Sequence, residues 1–234
     1  MKKFFLILIA GSILAVGNGF RMSLGIYVPD LLTSTIFGAS AIGLTYGIFN
    51  LMWGSMSPIA GAFAEQKGYV KTFFVGFLGV SLSFYITSLA ISPIHFLLGL
   101  GLIGGLSAGV ISVPVIIGGV SKYFDDDKSR STVTGILMSI AATGMFIFTP
   151  INQYLVTAFG WSLSFQIVAM FYLLFIPMAF IFLLKKPESK SKKKLTERKI
   201  LDVVSFAFKD KSYRYLILGF FVCGLHVALI SNYL

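Results

Sequence analysis

Of the 234 residues, 56% are hydrophobic and only 12% charged, about half the charged share of a soluble domain, which excludes a water-soluble globule. The net charge of +10 does not argue for a nucleic-acid partner, because the bases sit in segments between long apolar runs and not along one stripe. A single cysteine, Cys223, cannot form an internal disulfide. It lies in an apolar run with no second metal ligand nearby and reads as a core residue.

A helix crosses the hydrocarbon core with about 20 mostly apolar residues. Seven runs meet that requirement, approximately 4–28, 39–64, 72–91, 94–120, 132–156, 163–184 and 215–234. The breaks between the first six are Pro29-Asp30, the polar stretch AEQKGYVK, Ser92-Pro93, SKYFDDDKSRS and Gly160-Trp161. The runs are continuous and about twice the length of a barrel strand, so an all-helical membrane bundle is expected. A cleavable signal peptide is the rival reading of the first run, with Lys2-Lys3 ahead and Ala15-Val16-Gly17 behind. Against it, the apolar stretch continues to Val28.

With a cytoplasmic N-terminus, every Lys and Arg except Arg21 falls in a cytoplasmic segment, which is what the positive-inside rule requires. Residues 185–214 form one long basic connection, in which Ile200, Val203, Val204, Ala207 and Phe208 recur at helical spacing, as in an interfacial helix. Three parts follow: a six-helix bundle over 1–184, the basic cytoplasmic linker over 185–214, and a seventh transmembrane helix over 215–234. Membrane lipid is the expected neighbour of the bundle and of the linker.

Arg21 is the one base inside a run. A charge there costs about 2.5–3.5 kcal/mol and faces a cavity or a partner. Its planar fork suits a carboxylate, with Asn18 one turn earlier on the same face. Snorkelling to the outer headgroups, or pairing with a structural acid, is the alternative. Tyr46, Asn50 and Trp53 share one face of the second run and either line a substrate path or pack between helices. Asn152, close to the outer end of its run, and His226, which as a lone histidine reads first as a hydrogen-bonded core residue, are weaker candidates. Gly101, Gly105 and Gly109, like Gly11, Ala15 and Gly19, form small-residue stripes for close helix approach. No Asp or Glu lies mid-run, and no phosphate loop, metal cluster or hydrolase triad is present, so neither an enzyme nor a cofactor is expected.

Six spans, a basic linker and a further span resemble the layout of the major facilitator superfamily. The stretch from Gly61 to Lys71 resembles its signature loop, with Gly61, Glu65, Gly68 and Lys71 at the glycine, acid, glycine and terminal-base positions. Glu65 replaces the usual aspartate, Gln66 a base, and Tyr69 and Val70 part of the basic cluster. Trp53-Gly54 with Pro58, the run GNGFRMSLGIYVPDL and the run GFFVCGLHVALISNYL are similar to bacterial transporters of the monocarboxylate-porter branch. The span-five antiporter motif is not matched, since Phe148 and Thr149 occupy its later glycine and proline positions. The resemblance implies a twelve-span fold of two halves, each of two inverted three-helix repeats, of which Pro58 and Pro150 are a faint trace. The expected function is then secondary transport of a small, monocarboxylate-like organic anion across the cell inner membrane by alternating access, with Arg21 contributing from this half. The chain reads as that superfamily's N-terminal half plus its seventh helix, truncated at Leu234, with a separate C-terminal half or self-association needed to close the path. A non-transporting fragment, or a membrane-embedded assembly or regulatory subunit, is the competing expectation.

Overall fold

The computed structural model describes residues 2–34, 37–179 and isolated positions between 210 and 224. Cys223, His226 and nearly all of the expected linker and seventh helix lie outside the described residues. The rest is helix joined by short turns. Helix α1 (Lys2–Met22) passes through a 3-10 turn (Leu24–Tyr27) into α2 (Val28–Thr33). The break expected at Pro29-Asp30 does not occur. Pro29 sits in the first turn of α2, where its missing N–H would have had no helical partner anyway, so the apolar rod continues to Thr33.

Helix α3 (Ala39–Lys67) and α4 (Tyr69–Ser88) are separated by one residue, Gly68. Its φ of 98° is open to glycine and strained for other residues, so the polar stretch expected as a loop is helix on both sides of a single hinge. Span four is a composite of α5 (Pro93–Phe96), a π-helical stretch (Leu97–Gly104), α6 (Gly105–Val110) and α7 (Val113–Ser121), interrupted at Ile111-Ser112. Helix α8 (Asp127–Leu174) is 48 residues long but contains Gly160 at φ 72°, ψ 172°, which divides it into limbs 127–159 and 161–174. A short α9 (Ile176–Ala179) follows. Among the described residues, four stretches are long and apolar enough to cross a membrane: Lys3–Thr33, Tyr69–Ser88, Pro93–Ser121 and the twofold Asp127–Leu174. Helix α3, at 29 residues, is long enough but less apolar. The chain is an all-helical, multi-pass membrane protein.

Two seams organise the packing: α1 lies along α8, and α3 lies along the π-helical stretch and α6, while α4 touches both groups. Both seams use the small-residue stripes. A Cβ on Gly105 would lie 2.6 Å from the Phe49 carbonyl oxygen, and one on Gly109 would lie 2.7 Å from that of Trp53. Likewise Gly19 approaches the carbonyl of Gly144, and Gly144 meets the backbone of Ala15. In lipid no hydrophobic force draws helices together, so close backbone approach supplies the dispersion contact that holds the seams. Between them lies an aromatic core: Tyr27 stacks on Phe165 at 4.4 Å, and Phe84 on Tyr172 at 5.9 Å.

The two limbs of α8 are tied to the end of span one. Asp30 Oδ2 accepts a 2.7 Å hydrogen bond from the Trp161 N–H, capping the second limb where its first backbone donors would be unpaired. Outward, Leu51, Phe146, Met170 and Leu174 are strongly exposed, an apolar surface that only lipid or another helix can cover.

Candidate anion site within the bundle

Arg21 belongs to the last turn of α1, just before the helix gives way. Neighbours make good the backbone groups freed by that break, as a membrane interior requires. Ser23 Oγ donates to the Gly19 carbonyl at 2.8 Å. Tyr46 donates its hydroxyl to the Leu24 carbonyl at 2.8 Å. Tyr27 donates to Asn152 Oδ1 at 3.2 Å, and Asn152 Nδ2 donates to Ser23 Oγ. Tyr46 and Asn152 are thus fully buried and engaged in pinning the C-terminal end of span one. Asn50 donates to the Tyr46 carbonyl of its own helix at 2.9 Å. None of the three borders the cleft described next.

Below the break, α1, α3, α4, span four and the second limb of α8 enclose a narrow cleft with about 490 Å³ of empty space, counting its mouth. Of the residues singled out in the sequence, Asn18, Arg21 and Trp53 line it. Its walls are otherwise mostly apolar, Leu14, Val80, Phe84 and Ile111 among them. Ser112 and Tyr172 are the further polar groups. The Ser112 hydroxyl lies 2.7 Å from that of Ser57, so the interruption of span four also borders the cleft and is tied to α3.

The guanidinium of Arg21 lies over the Trp53 ring, its Cζ 4.3 Å from the centroid. Its hydrogen bonds are weak, 3.5 Å from Nη2 to Asn18 Oδ1 and 3.5 Å to Met22 Sδ. Among the described residues the ion pairs are Lys122 with Glu65 and Arg130 with Asp127; Arg21 has no carboxylate. A partly desolvated cation on an aromatic face keeps some attraction through the ring quadrupole but lacks the charge-matched acceptors that would compensate its desolvation. The arrangement can therefore accept an anion from outside.

The loop motif falls elsewhere, where α3, α4 and α7 meet. Glu65 Oε1 lies 2.8 Å from Lys122 Nζ and accepts a 3.0 Å hydrogen bond from the Tyr69 hydroxyl. Gly68 supplies the hinge, Lys71 is exposed, and Gly61 faces open space. Sequence reasoning passed over Tyr172 and Ser112. Nothing local marks them, since one tyrosine among ten and a serine in an apolar run carry no spacing signal until the helices are assembled.

The model of the Major Facilitator Superfamily matches residues 7–234. The chain is 27% identical to monocarboxylate transporter 11 of Mus musculus, over 61% of this chain and 31% of that protein. It is 30% identical to monocarboxylate transporter 12 of Mus musculus, over 50% and 23% respectively. Against the hexuronate transporter of Bacillus subtilis (strain 168) it is 27% identical, over 74% of this chain and 40% of the relative. The matches thus span well under half the length of these relatives. A match over nearly the whole chain, joined to a bundle of long apolar helices, establishes that the chain belongs to the Major Facilitator Superfamily.

Proposed function

We propose that this chain is the N-terminal six-span body, with the linker and seventh helix, of a secondary transporter that carries a small organic monoanion by alternating access. One observation carries the reading: Arg21 stands in an internal cleft, over the ring of Trp53, without a carboxylate among the described residues. A substrate carboxylate would supply the two acceptors that a guanidinium fork matches. The largely apolar walls favour a monocarboxylate with an apolar body over a polyhydroxylated acid such as a hexuronate, whose hydroxyls would be left without partners there. A second helical body closes the cleft from the opposite side, whether from a longer polypeptide, a separate chain or a second copy. The confinement of bases to one set of segments supports a cytoplasmic N-terminus in the cell inner membrane.

Uptake of radiolabelled butyrate, lactate and glucuronate into proteoliposomes under an imposed pH gradient tests the proposal, in preparations that also contain the remaining spans. Saturable butyrate or lactate uptake that disappears in Arg21→Ala is expected. Equal uptake in the alanine variant, or no organic-anion uptake at all, would sink it.

A further inference from the structure

Tyr172 is the one aromatic hydroxyl that borders the cleft. The second limb of α8 carries it there, and that limb is anchored to α4 by the Ser81 hydroxyl, which donates to the Ala169 carbonyl at 2.8 Å. The ring is fixed on both sides, stacked on Phe84 with 13° between planes and tilted against Phe20 at 5.7 Å. Only 3% of the residue is exposed. Buried phenols almost always have a hydrogen-bond partner, and the other buried tyrosines near the site obey that rule: Tyr27 donates to Asn152 and Tyr46 to Leu24. The Tyr172 hydroxyl has no hydrogen bond among the described residues. It is also not sealed in, because no fully enclosed side-chain oxygen or nitrogen among those residues is left unpaired. Its oxygen therefore opens on the cleft that Arg21 also lines.

We propose that Tyr172 is the second substrate ligand of the site, donating its O–H to the same carboxylate that Arg21 engages; this rests on the anion-binding reading above. Arg21 supplies charge and direction, and the phenol supplies a neutral donor from another helix. A carboxylate that touches both joins span one to span six. With the head group so held, the body of the anion meets Leu14, Val80, Phe84 and Ile111, which selects a short apolar-bodied monocarboxylate.

Trp53 reports on the site directly because Arg21 lies on its ring. In a Trp161→Phe background it is the sole tryptophan, since the chain has only two. The full chain in lipid nanodiscs is titrated with butyrate and with glucuronate while Trp53 emission is recorded. Butyrate is expected to saturate, and Tyr172→Phe, which keeps the stacked ring, is expected to weaken it about tenfold with an unchanged melting temperature. A change smaller than threefold overturns the role of Tyr172. If Arg21→Ala still abolishes the response in that case, the anion site itself stands. Glucuronate binding tighter than butyrate overturns the apolar-body selection, and no response to either anion in the parent protein overturns the site and the second ligand together.

Discussion

Among the described residues three bases rest on aromatic rings, Lys3 on Phe124, Lys122 on Tyr69 and Arg21 on Trp53, and the last two differ in one respect. Lys122 Nζ lies 5.0 Å from the centre of the Tyr69 ring, and Arg21 Cζ lies 4.3 Å from that of Trp53. At Lys122 the set is complete, because Glu65 is 2.8 Å away and also receives the Tyr69 hydroxyl. At Arg21 the base and the ring are present, and no acid pairs with them among the described residues. Solvation explains why the two are not equivalent. Lys122 and Glu65 have side chains 35% and 46% exposed, so water would serve either one if the other were lost, and the pair contributes about 0–1 kcal/mol. Arg21 is half-buried within the bundle, at the wall of a mostly apolar cleft, and for such a base the identity of the missing acceptor matters more. That contrast is the physical reason for reading the Arg21 cleft as a binding site and the Glu65 cluster as a joint between helices.

The largest effect is expected from removing the half-buried base. Arg21→Ala should weaken butyrate binding about 100-fold or more, because two charge-assisted hydrogen bonds of about 1.5–3 kcal/mol each disappear. Arg21→Lys should lose about tenfold, keeping charge without the planar fork. Both are measurable by Trp53 fluorescence. A sharper trial is to complete the set from within. Asn18→Asp would put a carboxylate where the Asn18 amide oxygen now meets Arg21 Nη2 at 3.5 Å, and the internal acid should compete with substrate, lowering affinity about tenfold or more while melting temperature holds or rises. Unchanged affinity in that variant would break the analogy between the two clusters.

Smaller again is the contribution of the ring under the base. Trp53→Leu should reduce uptake affinity about fivefold, since a partly desolvated cation–π contact is worth about 1 kcal/mol. Smallest is Glu65→Gln, which should move the unfolding free energy by less than about 1 kcal/mol and leave anion affinity unaltered. If it instead abolished uptake without altering binding, the joint would have a part in the conformational cycle.

Much of this architecture is readable along the chain because a bilayer asks for little beyond length and apolarity. The first five runs, and the sixth as far as Ala179, correspond to observed helical stretches, and the glycine stripe at 101, 105 and 109 meets the backbone of α3. Helix ends were less legible. Pro29 and the AEQKGYVK stretch read as aqueous breaks, yet Pro29 starts α2 and Glu65 to Lys67 finish α3. A residue that breaks a helix from its middle can begin one, and polar residues beyond the hydrocarbon need not stop being helical. Shared periodicity on α3 grouped Tyr46, Asn50 and Trp53. Of these only Trp53 borders the cleft, because the 3-10 turn at Leu24–Tyr27 draws the Tyr46 hydroxyl to the Leu24 carbonyl. Asn152 goes to the same break, through Tyr27 and Ser23.

The sequence by itself determined the membrane class, the succession of apolar helices and the singularity of Arg21, since each follows from the cost of moving a residue into lipid, and that cost belongs to the residue. Only the tertiary structure decided which polar groups share a space with Arg21. Trp53 and Tyr172 lie far apart along the chain, and what brings both beside it is the hinge at Gly68, the reversal at Gly160 and the interruptions of spans one and four. Hydrogen bonding and cation–π contact act over a few ångströms, so partnership depends on how the helices are assembled and leaves no periodic mark in any one of them.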